Sequence, residues 1–499
     1  MFYKDDNYPS YNPDKVELSI QPVTNNIDKE AIYEDFLEKL NLFQQSLRKS
    51  INYDQIHTIF ESFTMFIYVF PKKIKEYFST DLCLYIQSFI DQNVINAGEI
   101  RIVKDAMILI AYICFSDINY IQIFSDNKII DKTISVYLLK THGLFGPVTF
   151  LLSSLLRQNL PSATKYICDC MFPAANDYCY AKLDNEEENI RIATSFLYFL
   201  SKYPQNVEKE YIPRIFEVVQ FQIKLNEERC LPNNIFVYTL WTYECLLQNY
   251  SSNIVVNDSL TINIDYFVDE KMITYLSHLL DEEFIEKNKG DQKKRNENYN
   301  FKNEYFLLDN NPQRPLLLIY KKLFIARFKL FPQLIESISF TRIFSLTNSK
   351  DITVVLESFD LLRTIIIHHT DLIDKLIAYG LFVCLKEGLE SVFSIKSAAY
   401  QCVYQLLLSK IPDLIYKTLL NEVFLLSIEY CSTSSEKDRE FFLKAFLFAI
   451  RCIEPNGWIK DVVDYLTKND SFTTFDLIFE DEPDELVINV QNTLQIIEK

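Results

Sequence analysis

Glycine is scarce in this chain. It has 7 in 499 residues, where average usage would place roughly 35. Only glycine enters the left-handed φ region without steric cost, so turn-rich β architectures and glycine-built phosphate loops are poorly served. Proline, at 16, also falls below the roughly 25 expected. Long apolar runs are missing: stretches such as Ala106–Phe115 are far shorter than the roughly 20 residues of a membrane span. Positive charge is short as well. Lys and Arg total 50 against 68 Asp and Glu, a net charge of −18. A strongly acidic chain lacks the electrostatic drive toward nucleic acid or anionic lipid. Neither is expected as a partner.

Recognisable chemistry is missing too. No P-loop, Gly-x-Ser-x-Gly, Gly-x-Gly-x-x-Gly or His-Glu-x-x-His occurs. His368 and His369 are neighbours, so on a helix they point about 100° apart and cannot share one ion; they read as polar residues at a helix end. Cys168, Cys170 and Cys179 lack the spaced pairs of a tetrahedral zinc site. The acidic groups Asp5-Asp6 and Asp281-Glu282-Glu283 read as solvated charge, and Lys293-Lys294-Arg295 as part of a charged loop. No catalytic residue, cofactor or metal is expected. Met1–Tyr8 has no apolar core behind basic residues, so no secretory signal is read. The 11 cysteines are accordingly expected as free thiols in a reducing, intracellular setting, cytoplasmic or nuclear.

What is present is a globular balance, 48% hydrophobic and 24% charged, with ample material for a core. One local pattern recurs: an apolar helix end, a proline, then an aliphatic residue three or four positions on. It appears at Pro71/Ile74, Pro204/Val207, Pro332/Ile335, Pro412/Ile415 and Pro455/Ile459. These prolines are 133, 128, 80 and 43 residues apart, intervals that fit three, three, two and one unit of about 43. Proline ends the preceding helix, and its fixed φ suits the first position of the next. Asp371-Leu-Ile-Asp-Lys375 aligns with Asp413-Leu-Ile-Tyr-Lys417 at an offset of 42. Breaks are read near residues 71, 117, 161, 204, 251, 332, 371, 412 and 455.

Helical stripes fill the units. Val355, Phe359, Leu362 and Ile366 recur at helical spacing, as do Phe442, Leu443, Phe446, Leu447 and Ile450. Helices such as Met107–Phe115 and Phe441–Ile450 are apolar on more than one face, as an inner helix between neighbouring repeats requires; Ile32–Leu47 is more polar and reads as an outer helix. Strand-like alternation is confined to Ser259–Ile264. The fold class is all-α. Residues 1–26 read as an extended lead-in, 27–480 as a repeat array with a charged insertion at 286–312, and 481–499 as an acidic end.

A period near 42, with two or three helices per unit, resembles the armadillo-type repeat proteins, with HEAT repeats close by. The clearest copy is Lys104–Leu138: a buried helix, a short break, Ile121-Gln-Ile-Phe124, then Ile129–Leu138. The resemblance covers roughly residues 50–480. It implies a right-handed superhelical solenoid of about nine repeats acting as a non-enzymatic scaffold, with a protein or extended peptide held in a concave groove. Tyr238, Trp241, Glu244, Arg363, Tyr400 and Tyr404, on the inner helices, are the expected groove residues, with acidic groups suiting basic ligands. An importin-alpha-like adaptor for basic peptides and a regulatory subunit of a larger complex are the alternatives. The Trp-x-x-x-Asn ladder of importin-alpha is missing, since Cys245 follows Trp241 and Val462 follows Trp458 at the fourth position.

Overall fold

The structure is a computed structural model. It describes residues 28–46, 53–96, 98–138, 143–181, 183–229, 231–250, 254–257, 260–279, 311–326, 328–469 and 471. The lead-in at 1–26, the break at 251, the acidic end at 481–499 and all but the last two residues of the insertion at 286–312 lie outside them.

Helices begin where the sequence supplies the chemistry to begin them. Pro71, Pro161, Pro204, Pro332, Pro412 and Pro455 each occupy the first or second position of an α- or 3-10 helix, where no N–H is needed. Elsewhere Ser79, Ser339, Asp351, Asn421 and Ser435 are N-caps whose side chains accept a bond from an otherwise orphaned backbone N–H. The few glycines are used where conformation demands them. Gly380, at φ 109°, turns the chain between helices Ile373–Ala378 and Leu381–Leu389. Lys128 takes the equivalent turn with φ 59°, between helices Asn119–Asp126 and Ile129–Tyr137.

A repeating unit results: a short first helix, a second, and a third that is usually the longest. Among the described residues the third helices number nine. They are α1 (Tyr53–Val69), α2 (Ile100–Ser116), α3 (Phe145–Leu155), α4 (Leu183–Lys202) and α5 (Asn233–Tyr250). They continue as α6 (Gln313–Ile325), α7 (Ile352–His368), α8 (Phe393–Leu407) and α9 (Glu436–Ile453). The fold is all-α and of the armadillo type. One departure is the hairpin of β1 (Ile254–Asn257) and β2 (Leu260–Ile262), antiparallel with Ile254 opposite Ile262.

The chain divides into two compact units. In the first, α1 to α5 stack in chain order, and helix Lys29–Ser46 closes the start through the stacked rings of Phe36 and Phe66, 3.7 Å apart. In the second, α6 to α9 stack likewise, and helix Ile459–Lys468 follows α9, burying only Val462, Val463 and Leu466.

Three repeats also stitch themselves to their predecessors through the carbonyls that a helix C-terminus leaves unpaired. Arg157 Nη1, just past α3, donates to Cys114 O at 3.0 Å and Phe115 O at 2.7 Å, in the last turn of α2. Asn249 Nδ2, on α5, donates to Ser201 O of α4 at 2.7 Å. His369 Nε2, just past α7, donates to Phe324 O of α6 at 2.5 Å. The partners lie 42–48 residues apart in sequence, which is the repeat length made visible in bonds.

Gly388, on Leu381–Leu389, lets that helix approach the stack: a Cβ there would lie 2.5 Å from Phe359 Cζ and 2.8 Å from Ala399 Cβ. Gly388→Ala should therefore destabilise by about 1–3 kcal/mol through overpacking, against the roughly 1 kcal/mol that alanine gains in an open helix. Urea unfolding followed by circular dichroism measures the sign. Arg157→Met should cost about 1–3 kcal/mol by orphaning two carbonyls, with faster amide exchange near the end of α2 as its local signature.

Candidate interaction face of the third helices

Four of the six expected groove residues are core. Tyr238, Trp241 and Glu244 on α5 are 3%, 4% and 5% exposed, and Tyr400 on α8 is 1% exposed. All eleven residues of α3 are buried, as are Ile190–Ser201 of α4 and Ile235–Leu247 of α5. A helix apolar around its whole circumference has no face to give to a ligand. Tyr238 and Trp241 pack near Tyr198, and Tyr400 packs near Tyr430 and Phe442. The carboxylate expected to select basic ligands, Glu244, is thus not an accessible one.

Arg363 and Tyr404 remain partly exposed, and they mark a face that sequence reasoning saw only in part. Arg363 on α7 corresponds to Lys321 on α6, Tyr404 on α8 and Lys444 on α9, with spacings of 42, 41 and 40 residues. None of the four is buried. One turn further on, Ile325, Ile367, Leu408 and Phe448 form a second row with the same spacings, also not buried. Ile325 and Ile367 are 48% and 45% exposed. One turn earlier run Leu318, Asp360, Gln401 and Phe441, again not buried. A ring contact ties α8 to α9 along this face, Tyr404 and Phe441 having centroids 6.5 Å apart, and within α9 Lys437 Nζ lies 5.6 Å over Phe441. The missed signal was available in the repeat itself, by aligning third helices and seeking positions that stay polar or mixed.

The electrostatics of this face are layered. Lys321 pairs with Asp360 across the α6–α7 contact, and Arg363 Nη2 donates to Asp360 Oδ1 at 2.8 Å. One carboxylate therefore serves two cations. Beneath them Arg314 and Glu357 form a buried pair, Nε to Oε1 3.7 Å, with side chains 2% and 6% exposed. Burial pushes the Glu357 carboxyl up, and Arg314 and Lys321 only partly oppose this.

Other titratable clusters serve packing. Burial pushes Cys83, Cys179 and Cys384 up to about 12, so these thiols stay protonated near neutrality. Among the described residues no three His, Cys, Asp or Glu side chains gather as a metal site. On α1, His57 Nδ1 lies 2.6 Å from Asp105 Oδ2 of α2, with Arg101 against the other ring nitrogen. His369 is occupied at Phe324 and stacks on Phe331 at 4.5 Å.

No protein-family model matches the chain, and no curated protein matches it. Among solved structures it is similar to an engineered protein, 14% identical over 93% of this chain and 99% of the other, TM-score 0.54. It is also similar to computationally designed armadillo repeat proteins for modular peptide recognition, 12% identical over 53% of this chain and 94% of the other, TM-score 0.38. A third is a designed armadillo repeat protein in complex with the peptide (KR)4, 12% identical over 65% of this chain and 99% of the other, TM-score 0.33. These likenesses concern the fold alone.

The raised Glu357 carboxyl carries a pH signature. Its charged form is disfavoured in the folded chain, so its contribution to stability is full below the ordinary carboxylate pKa and is lost as pH rises through the folded value. Glu357→Gln removes that loss. Its stability relative to wild type should rise between pH 4 and pH 7, measured by urea unfolding at both.

Proposed function

We propose that the chain is a non-catalytic scaffold that holds an extended peptide, or an extended segment of a protein partner, along the third helices α6–α9. The observation that carries this is the register of the three accessible rows, which repeat once per third helix across four consecutive helices. Helices pack at about 8–10 Å and an extended chain rises about 3.3 Å per residue. Each third helix therefore meets two to three ligand residues, and the rows present the same three kinds of position each time. Tyr404 and Phe441 supply aromatic anchors of the sort that dominate binding energy. The guanidinium of Arg363 has donors beyond the one given to Asp360. The α5 residues first read as groove are core, which favours the second unit for this role.

Peptides selected from a random display library against the intact chain should bind this face. The double variant Arg363→Ala, Tyr404→Ala should then lose roughly tenfold or more in affinity. Val383→Ser, at a 62% exposed position on Leu381–Leu389, should leave affinity unchanged. Equal binding by the double variant would overturn the proposal.

A further inference from the structure

We infer that the partner of the α6–α9 face is an acidic peptide interspersed with aliphatic or aromatic residues, a reading that rests on the scaffold role of the same face. The charge of the third helices runs against the composition of the chain. The whole chain carries −18, and α1–α5 hold eight Asp or Glu against four Lys or Arg. In α6–α9 the balance reverses to nine Lys or Arg against five Asp or Glu.

The accessible row carries this excess in usable geometry. Lys321, Arg363 and Lys444 occupy three of its four positions, with Tyr404 between the last two. Lys321 and Arg363 share the single carboxylate of Asp360, so the trio holds one net positive charge. Lys444 pairs with Glu440 of its own helix, and both side chains are exposed at 55% and 39%. Such a solvated pair is weak and readily exchanged for a ligand carboxylate. A carboxylate arriving over Arg363 finds a guanidinium fork suited to bidentate bonding.

Charge alone at an exposed surface gives steering more than affinity. The neighbouring row supplies the rest: Ile325, Ile367, Leu408 and Phe448 lie one turn from Lys321, Arg363, Tyr404 and Lys444, so each helix offers a cation or phenol beside an apolar contact. A ligand that places a carboxylate and an apolar side chain on each helix in turn satisfies both rows. A basic ligand would set like charges against Lys321 and Arg363.

Fluorescein-labelled (Asp-Leu-Ser)4, (Lys-Leu-Ser)4 and (Asp-Ser-Ser)4, titrated against the full chain by anisotropy, test the assignment. (Asp-Leu-Ser)4 should bind in 50 mM NaCl and weaken roughly tenfold in 300 mM as the Debye length shortens. The other two should each bind at least about tenfold more weakly. The triple reversal Lys321→Glu, Arg363→Glu, Lys444→Glu should invert the order of the first two peptides. Because that variant disturbs the Asp360 pair, the exposed single reversal Lys444→Glu should on its own weaken (Asp-Leu-Ser)4. Absence of (Asp-Leu-Ser)4 binding, preference for (Lys-Leu-Ser)4, or indifference to Lys444→Glu overturns the inference. Display-selected peptides that depend on Arg363 and Tyr404 but are basic would overturn the acidic assignment while leaving the scaffold role intact. Selected peptides indifferent to both residues would instead remove the scaffold role.

Discussion

Within each unit the structure depends on each third helix packing against the one before it, and at three of these contacts the later repeat also satisfies the earlier helix's exposed end. A helix C-terminus leaves four carbonyls without partners, and in a stack of buried helices water cannot reach all of them. Arg157, Asn249 and His369 meet that need from the following repeat. Tyr120 does the same between the first helices of successive repeats, donating to Phe78 O, just past helix Ile74–Tyr77, at 2.8 Å. An insertion or deletion that shifted one repeat would strip several such bonds at once, so the period is held by polar chemistry as well as by apolar burial. Each repeat is then stable chiefly through its neighbours.

The same stacking divides the third helices into two kinds. Where the helix is apolar all round, as in α3 and the central stretches of α4 and α5, it is consumed by the core. Where one stripe keeps charged or mixed residues, as in α6 to α9, a surface survives. At the α6–α7 contact its charges are anchored: Asp360 holds Lys321 and Arg363, and Arg314 and Glu357 form a buried pair. A buried pair adds little net stability compared with apolar packing. Together these contacts hold the cationic side chains at the α6–α7 contact, so less freedom is lost on binding.

Much of the fold was legible beforehand because its signals are local. Within a helix proline is tolerated chiefly in the first turn, so the prolines at 71, 204, 332, 412 and 455 marked boundaries that the structure keeps. The candidate face was legible only in part. Of the six residues expected in a groove, Arg363 and Tyr404 stay partly exposed, whereas Tyr238, Trp241, Glu244 and Tyr400 are core. Aromatic rings on an inner helix serve packing and recognition equally well, and one helix considered alone does not distinguish them. Lys321, Lys444, Ile325 and Ile367 were missed because each is unremarkable by itself; their meaning comes from the residues 40 to 42 positions away.

By itself, then, the amino-acid order determined helix content, helix starts and the repeat length, since steric limits on proline and the helical period act within a few residues of chain. Which faces remained open, which charges became paired, and which aromatic side chains disappeared into the core were decided only by tertiary structure. Exposure is a property of what packs against a side chain, and here the neighbours that decide it come from the adjacent repeat.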